Sequence, residues 1–115
     1  MKTTRGQQAE AAAAAYLARK GLKLLAANYR CRMGEIDMVL RDRDTIVFAE
    51  VRLRTGTGFG GAAESIDRRK RARIIAAARH YLAGKPEPQC RFDVVLLDRL
   101  EPPRIDWIRD AFSLV

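Results

Sequence analysis

The 115 residues carry 22 Lys and Arg against 14 Asp and Glu, a formal charge of +8, with 48% hydrophobic and 31% charged residues. That length suits one folded domain with a single core, and the composition excludes a disordered chain. No run approaches the ~18 apolar residues of a membrane span, and two cysteines without a CxxC pair, Cys31 and Cys90, argue against a disulfide framework.

These properties set the first expectations: a single domain over 1–115, with 1–5 a loose basic leader, no signal-peptide pattern, a cytoplasmic location and no membrane partner. The positive excess favours contact with a polyanion.

From Gly6 to about Lys20 the alanine content and the spacing Ala9, Ala13, Tyr16, Leu17 predict an amphipathic helix, closed by Gly21 as C-cap. Glu10 lies on the margin of its apolar stripe, where it can point along the core's edge toward a neighbouring site. Leu22 to Tyr29 reads as a strand and Arg30 to Met33 as a polar connection. Ile36 to Arg41 and Thr45 to Leu53 then form a β-hairpin across Asp42-Arg43-Asp44. Residues 55–66 are glycine-rich and read as a loop. Asp67 is a credible N-cap for a helix to about Leu82 with Ile74, Ile75, Ala78, Tyr81 and Leu82 inward. Arg91 to Leu97 and a short stretch around Ile105 to Ile108 complete the strands.

The hairpin carries the chemistry. With a two-residue loop, directly opposed residues have numbers with an odd sum, so Asp37 and Glu50 share a face; a three-residue loop without a bulge separates them. The other face is then Ile36, Met38, Leu40, Val47, Ala49, Val51 and Leu53, all apolar. Two carboxylates on adjacent strands can hold Mg²⁺ or Mn²⁺ with several waters, and Arg52, two residues beyond Glu50, faces the same side. Glu10 can complete or support such a metal shell. The competing reading is an ion-pair network in which Arg52 and Arg41 neutralise the two acids.

Arg68, Arg69, Lys70 and Arg73 fall in the first turns of the second helix, with Arg69, Arg73 and His80 on one outward face that can track a nucleic-acid backbone. A solvated basic face is the plainer alternative. Gly56-Thr57-Gly58-Phe59-Gly60-Gly61 matches GxGxxG, yet the following helix starts too late for a dinucleotide fold, and a loop closing on substrate suits it better. Asp93 is either a third site acid or the partner of Arg91. Trp107, Tyr16 and Tyr81 are expected in the core, Trp107 with an interface as its alternative, and His80 at the surface.

Several of these segments, taken in order, resemble the YraN-like family of small bacterial proteins: Gly6 and Glu10; Gly34-Glu35-Ile36-Asp37; Phe48-Ala49-Glu50-Val51-Arg52-Leu53-Arg54; Phe59-Gly60; Glu64; Lys70; and Arg91-Phe92-Asp93-Val94-Val95. That family is in turn similar to the archaeal Holliday-junction resolvases within the PD-(D/E)xK, or restriction-endonuclease-like, superfamily. The resemblance implies an α/β three-layer fold, a central mixed sheet flanked by helices. It also implies metal-dependent phosphodiester hydrolysis on DNA, branched DNA included, and by analogy a homodimer. Asp37 and Glu50 match the two acids, Glu10 the helix glutamate of the resolvases, and Arg52 the usual lysine. No proline precedes Asp37. The Arg52 departure matters more, because a guanidinium stays charged and cannot exchange a proton with water at neutral pH. A non-catalytic nucleic-acid-binding module of the same fold is therefore the alternative, and a protein-interaction domain the third reading.

Overall fold

The computed structural model describes residues 4–53, 66–86 and 89–113. Helix α1 (Arg5–Arg19) is followed by strands β1 (Lys23–Cys31), β2 (Gly34–Asp42) and β3 (Thr45–Leu53), helix α2 (Arg68–Leu82), and strands β4 (Gln89–Leu100) and β5 (Pro103–Phe112). The five strands form one sheet in chain order, antiparallel except for the parallel β3–β4 pair. A parallel neighbour requires a crossover, and α2 lies in that connection. The two helices pack on opposite faces, which makes three layers with a mixed sheet in the middle.

α1 starts one residue earlier than the alanine run alone predicts. Thr4 and Gln7 close a capping box: the Thr4 hydroxyl accepts from the Gln7 amide at 3.0 Å, and the Gln7 side chain accepts from the Thr4 amide at 2.9 Å. Thr4 and Arg5 thus belong to the helix end rather than to a loose leader. At the other end Gly21, with φ of 94°, lets the Leu22 amide reach back to the Leu17 carbonyl at 3.1 Å. Ala9, Ala13 and Leu17 form the buried stripe, and the alanines bring the helix backbone close to the sheet.

On the α1 face the core is Met38, Leu40, Val47, Ala49, Val95 and Leu97. On the α2 face it is Val39, Phe48, Phe92, Val94 and Leu96 with Ile74, Ala77 and Ala78. Phe48 and Phe92 stack with centroids 5.4 Å apart, and Tyr81 meets Phe48 edge-on. Alternation along the hairpin is as predicted except at Ile36, which packs with the α2 face rather than beside Met38. The break coincides with an irregularity across the ladder: Asn28 of β1, opposite Asp37 in the register, takes a left-handed φ of 52°.

β1 runs two residues past Tyr29 and meets β2 across a two-residue turn, Arg32-Met33. β4 and β5 also extend beyond their predicted ends. Asp93, fully buried, lies on the α1 side: its carboxylate accepts from Arg91 Nε at 3.0 Å, Trp107 Nε1 at 2.9 Å and the Asp110 amide at 3.0 Å. It pairs with Arg91, the second of its two expectations, and Trp107 sits edge-on to Tyr16. Both cysteines are free and half-buried. Among the described residues no helix is long and apolar enough to cross a membrane. The glycine-rich GxGxxG segment, Phe59, Gly60, Glu64 and Arg54 lie outside the described residues.

Candidate active site

The β2–β3 ladder starts at Asp42 and Thr45, closed by the two-residue turn Arg43-Asp44, and its last register pair is Met38 with Ala49. Arg43 supplies the positive φ, 57°, that such a tight turn demands. Beyond that pair β2 stays on β1 as far as Gly34, while β3 stays on β4 as far as Leu53. The sheet therefore opens between Asp37 and Glu50. An opened ladder leaves backbone groups to satisfy. Asp37 does so from its side chain, one carboxylate oxygen accepting from the Val51 amide at 2.8 Å.

Glu50 occupies the same opening at 4% exposure. Its carboxyl is pushed up to about 7, first by burial and then by the charge of Asp37, with which it also shares a hydrogen bond; Lys70 opposes the shift. The Lys70 ammonium lies 2.8 Å from Glu50 Oε2. Glu50 and Arg52 neighbour Val94 and Leu96 of β4, which belong to the α2 face, so the two side chains share that face as expected.

Glu10 approaches from α1, half-buried. Its carboxyl is raised by burial and by Asp37, while a hydrogen bond from the Asn28 side chain lowers it. The left-handed residue opposite Asp37 is thus also the one that holds the third acid. Among the described residues no three His, Cys, Asp or Glu side chains converge closely enough to enclose a metal. Glu10 neighbours Asp37 without completing a three-acid cluster with the pair. Two carboxylates still suit Mg²⁺ or Mn²⁺, which keep several waters and take one or two protein acids.

Of the predicted basic residues, Arg68, Arg69 and Arg73 are exposed on α2, as is His80, whose ring meets the Tyr29 hydroxyl. Lys70 departs from that set: it turns inward to Glu50. Its position was legible, because Lys70, Ile74, Ala77 and Tyr81 follow the helical spacing of one stripe. The cation that pairs with Glu50 in the predicted ion-pair network is therefore Lys70; Arg41 is exposed near the far end of the hairpin, by the Asp42–Thr45 closure.

A groove of about 480 Å³ adjoins Lys70, between the β1–β2 turn and α2, with Arg30, Arg32, Met33 and Arg73 on its rim. Gly34 sets its base. A β-carbon there would stand 2.6 Å from the Arg73 carbonyl oxygen, so only glycine lets the turn seat on the helix backbone.

Sheet, helices and acids together define a class: a three-layer mixed α/β protein in which a buried Glu50 meets a half-buried Asp37 and a partly exposed Lys70 where two central strands part. The chain belongs to the uncharacterised protein family UPF0102, whose model matches residues 9–97 and thus spans Glu10, Asp37, Glu50 and Lys70. It is 52% identical to a UPF0102 protein of Nitrosomonas europaea, over 95% of this chain and 93% of that protein. It is 51% identical to one of Nitrosospira multiformis, over 96% and 93%, and 54% identical to one of Cupriavidus taiwanensis, over 97% and 85%.

Proposed function

We propose that this protein is a restriction-endonuclease-like nuclease that hydrolyses phosphodiester bonds in DNA with Mg²⁺ or Mn²⁺. The observation that carries the reading is the pairing of Asp37 and Glu50 in the opened ladder, with Lys70 on Glu50 and a basic groove alongside. A structural sheet rarely sets a buried carboxylate against a second one, because each charge raises the cost of the other. Such an arrangement is suited to a bound cation.

Asp37 and Glu50 are the residues to hold a divalent ion, which would polarise a phosphoryl oxygen and acidify water when bound. The Val51 amide fixes the Asp37 carboxylate. Asn28 fixes Glu10, which keeps further negative charge beside Asp37. Arg52 contributes charge and shape toward phosphate but no transferable proton. Lys70 adds a second cation, and its ion pair with Glu50 holds that ammonium at the opening.

Incubating the protein with single-stranded, flapped and four-way DNA in Mn²⁺ or Mg²⁺ tests this directly. Cleavage lost in Asp37→Asn and Lys70→Met is the expected result. No cleavage of any of these substrates by the unaltered protein overturns the reading. A second reading, a binding module without turnover, draws on the same Lys70 contact, since an ammonium already neutralises Glu50 without a metal. DNA binding that needs no divalent ion, together with no cleavage, selects it.

A further inference from the structure

The groove beside Lys70 combines features that the acid site does not require. Arg32 and Met33 form the two-residue β1–β2 turn, and Met33 leaves 47% of its surface exposed, with Leu24 one of two large apolar side chains so exposed among the described residues. Arg32 and Arg73 have no acidic partner among the described residues, whereas Arg30 is tied to Glu35 at 3.3 Å. At its base the Gly34 backbone lies close against the Arg73 carbonyl, which brings the turn and the helix together.

We propose that this groove is the track for a single-stranded segment of nucleic acid, with Arg32 and Arg73 on its phosphates and Met33 against an unstacked base. The assignment rests on the nucleic-acid reading above and names the substrate form that the same site receives. Positive side chains on two facing elements follow a backbone, and an apolar side chain between them meets a base face. Duplex readers instead present a protruding helix or ribbon to the major groove. Here the surface is a recess between a turn and a helix rather than a protruding element. The recess leads to Lys70 and so to Glu50, which puts a strand lying in it beside the two acids.

The test is fluorescence anisotropy in EDTA, so that binding is read without cleavage, with labelled oligothymidylate and a matching duplex as probes. Arg32→Ala/Arg73→Ala should weaken strand binding at least about tenfold and reduce the salt slope by about 1.4, the share of two phosphate contacts. Met33→Ala should weaken strand binding further while leaving duplex binding nearly unchanged. Arg19→Ala/Arg79→Ala removes the same charge elsewhere and should change little. A photo-crosslinker on Met33→Cys should capture the strand, which gives a readout even where a double variant folds poorly. Unaltered binding by the groove variant, an equal loss in the control, or tighter binding to duplex than to strand overturns the proposal. Strand binding through the groove without cleavage sinks only the nuclease reading, whereas cleavage that survives with groove variants binding normally sinks only the groove.

Discussion

Replacing Glu50 with glutamine isolates what the paired acids do to stability. Glu50 titrates near 7 in the folded protein, against an ordinary value of 4.5. The folded state therefore holds a proton that the unfolded chain releases between these values, and stability from this group falls as pH rises from 4.5 to 7. The difference corresponds to about 3 kcal/mol at pH 8, since the side chain is only 4% exposed and little screened. Glu50→Gln keeps the shape and removes the titration, so it should be more stable than the natural protein by about that amount at pH 8 and nearly equal to it at pH 4.5. Urea unfolding in EDTA at four or five pH values measures it. Parallel stability curves for the two proteins across this range would refute the argument that Asp37 and burial load Glu50 with a proton.

Three further outcomes follow from named contacts. Gly34→Ala drives a β-carbon against the Arg73 carbonyl at 2.6 Å and should cost about 1–3 kcal/mol in chemical denaturation, with the groove distorted. Asn28→Gly keeps the left-handed backbone but loses the hydrogen bond to Glu10, so it should cost less than Asn28→Val, which loses both and should cost about 1–2 kcal/mol. Asp93→Ala leaves the Trp107 indole and the Asp110 amide without their acceptor and Arg91 with Asp42 alone, and should lose about 1–3 kcal/mol in urea unfolding.

Much of the site was legible because strand geometry is discrete. A two-residue turn fixes odd-sum pairing as far as Met38 and Ala49, which brings Asp37 and Glu50 to the same end of the ladder, where they meet in the opening beyond the last pair. Glu10 was visible for a similar reason, as the acid on the edge of an apolar helical stripe. Ile36 departs from simple alternation beside Asn28, a left-handed residue on another strand that alternation along β2 cannot register. Lys70 was grouped with its basic neighbours by composition, although its spacing from Ile74 and Ala77 placed it on the inner stripe. The opening of the ladder after Met38 and Ala49 left no trace in local propensity, since it arises from what β2 and β3 pair with on their other sides. The capping box of Thr4 and Gln7 was a readable signal that the alanine run obscured.

The nuclease proposal depends on Asp37 and Glu50 holding a divalent cation. A crystal structure grown with Mn²⁺ near pH 8, with anomalous scattering recorded, tests this most directly. The expected result is an anomalous peak between the two carboxylates, with Lys70 withdrawn from Glu50 and no peak in Asp37→Asn crystals. Crystals soaked to saturation that show no such peak, with Lys70 still 2.8 Å from Glu50, would contradict it.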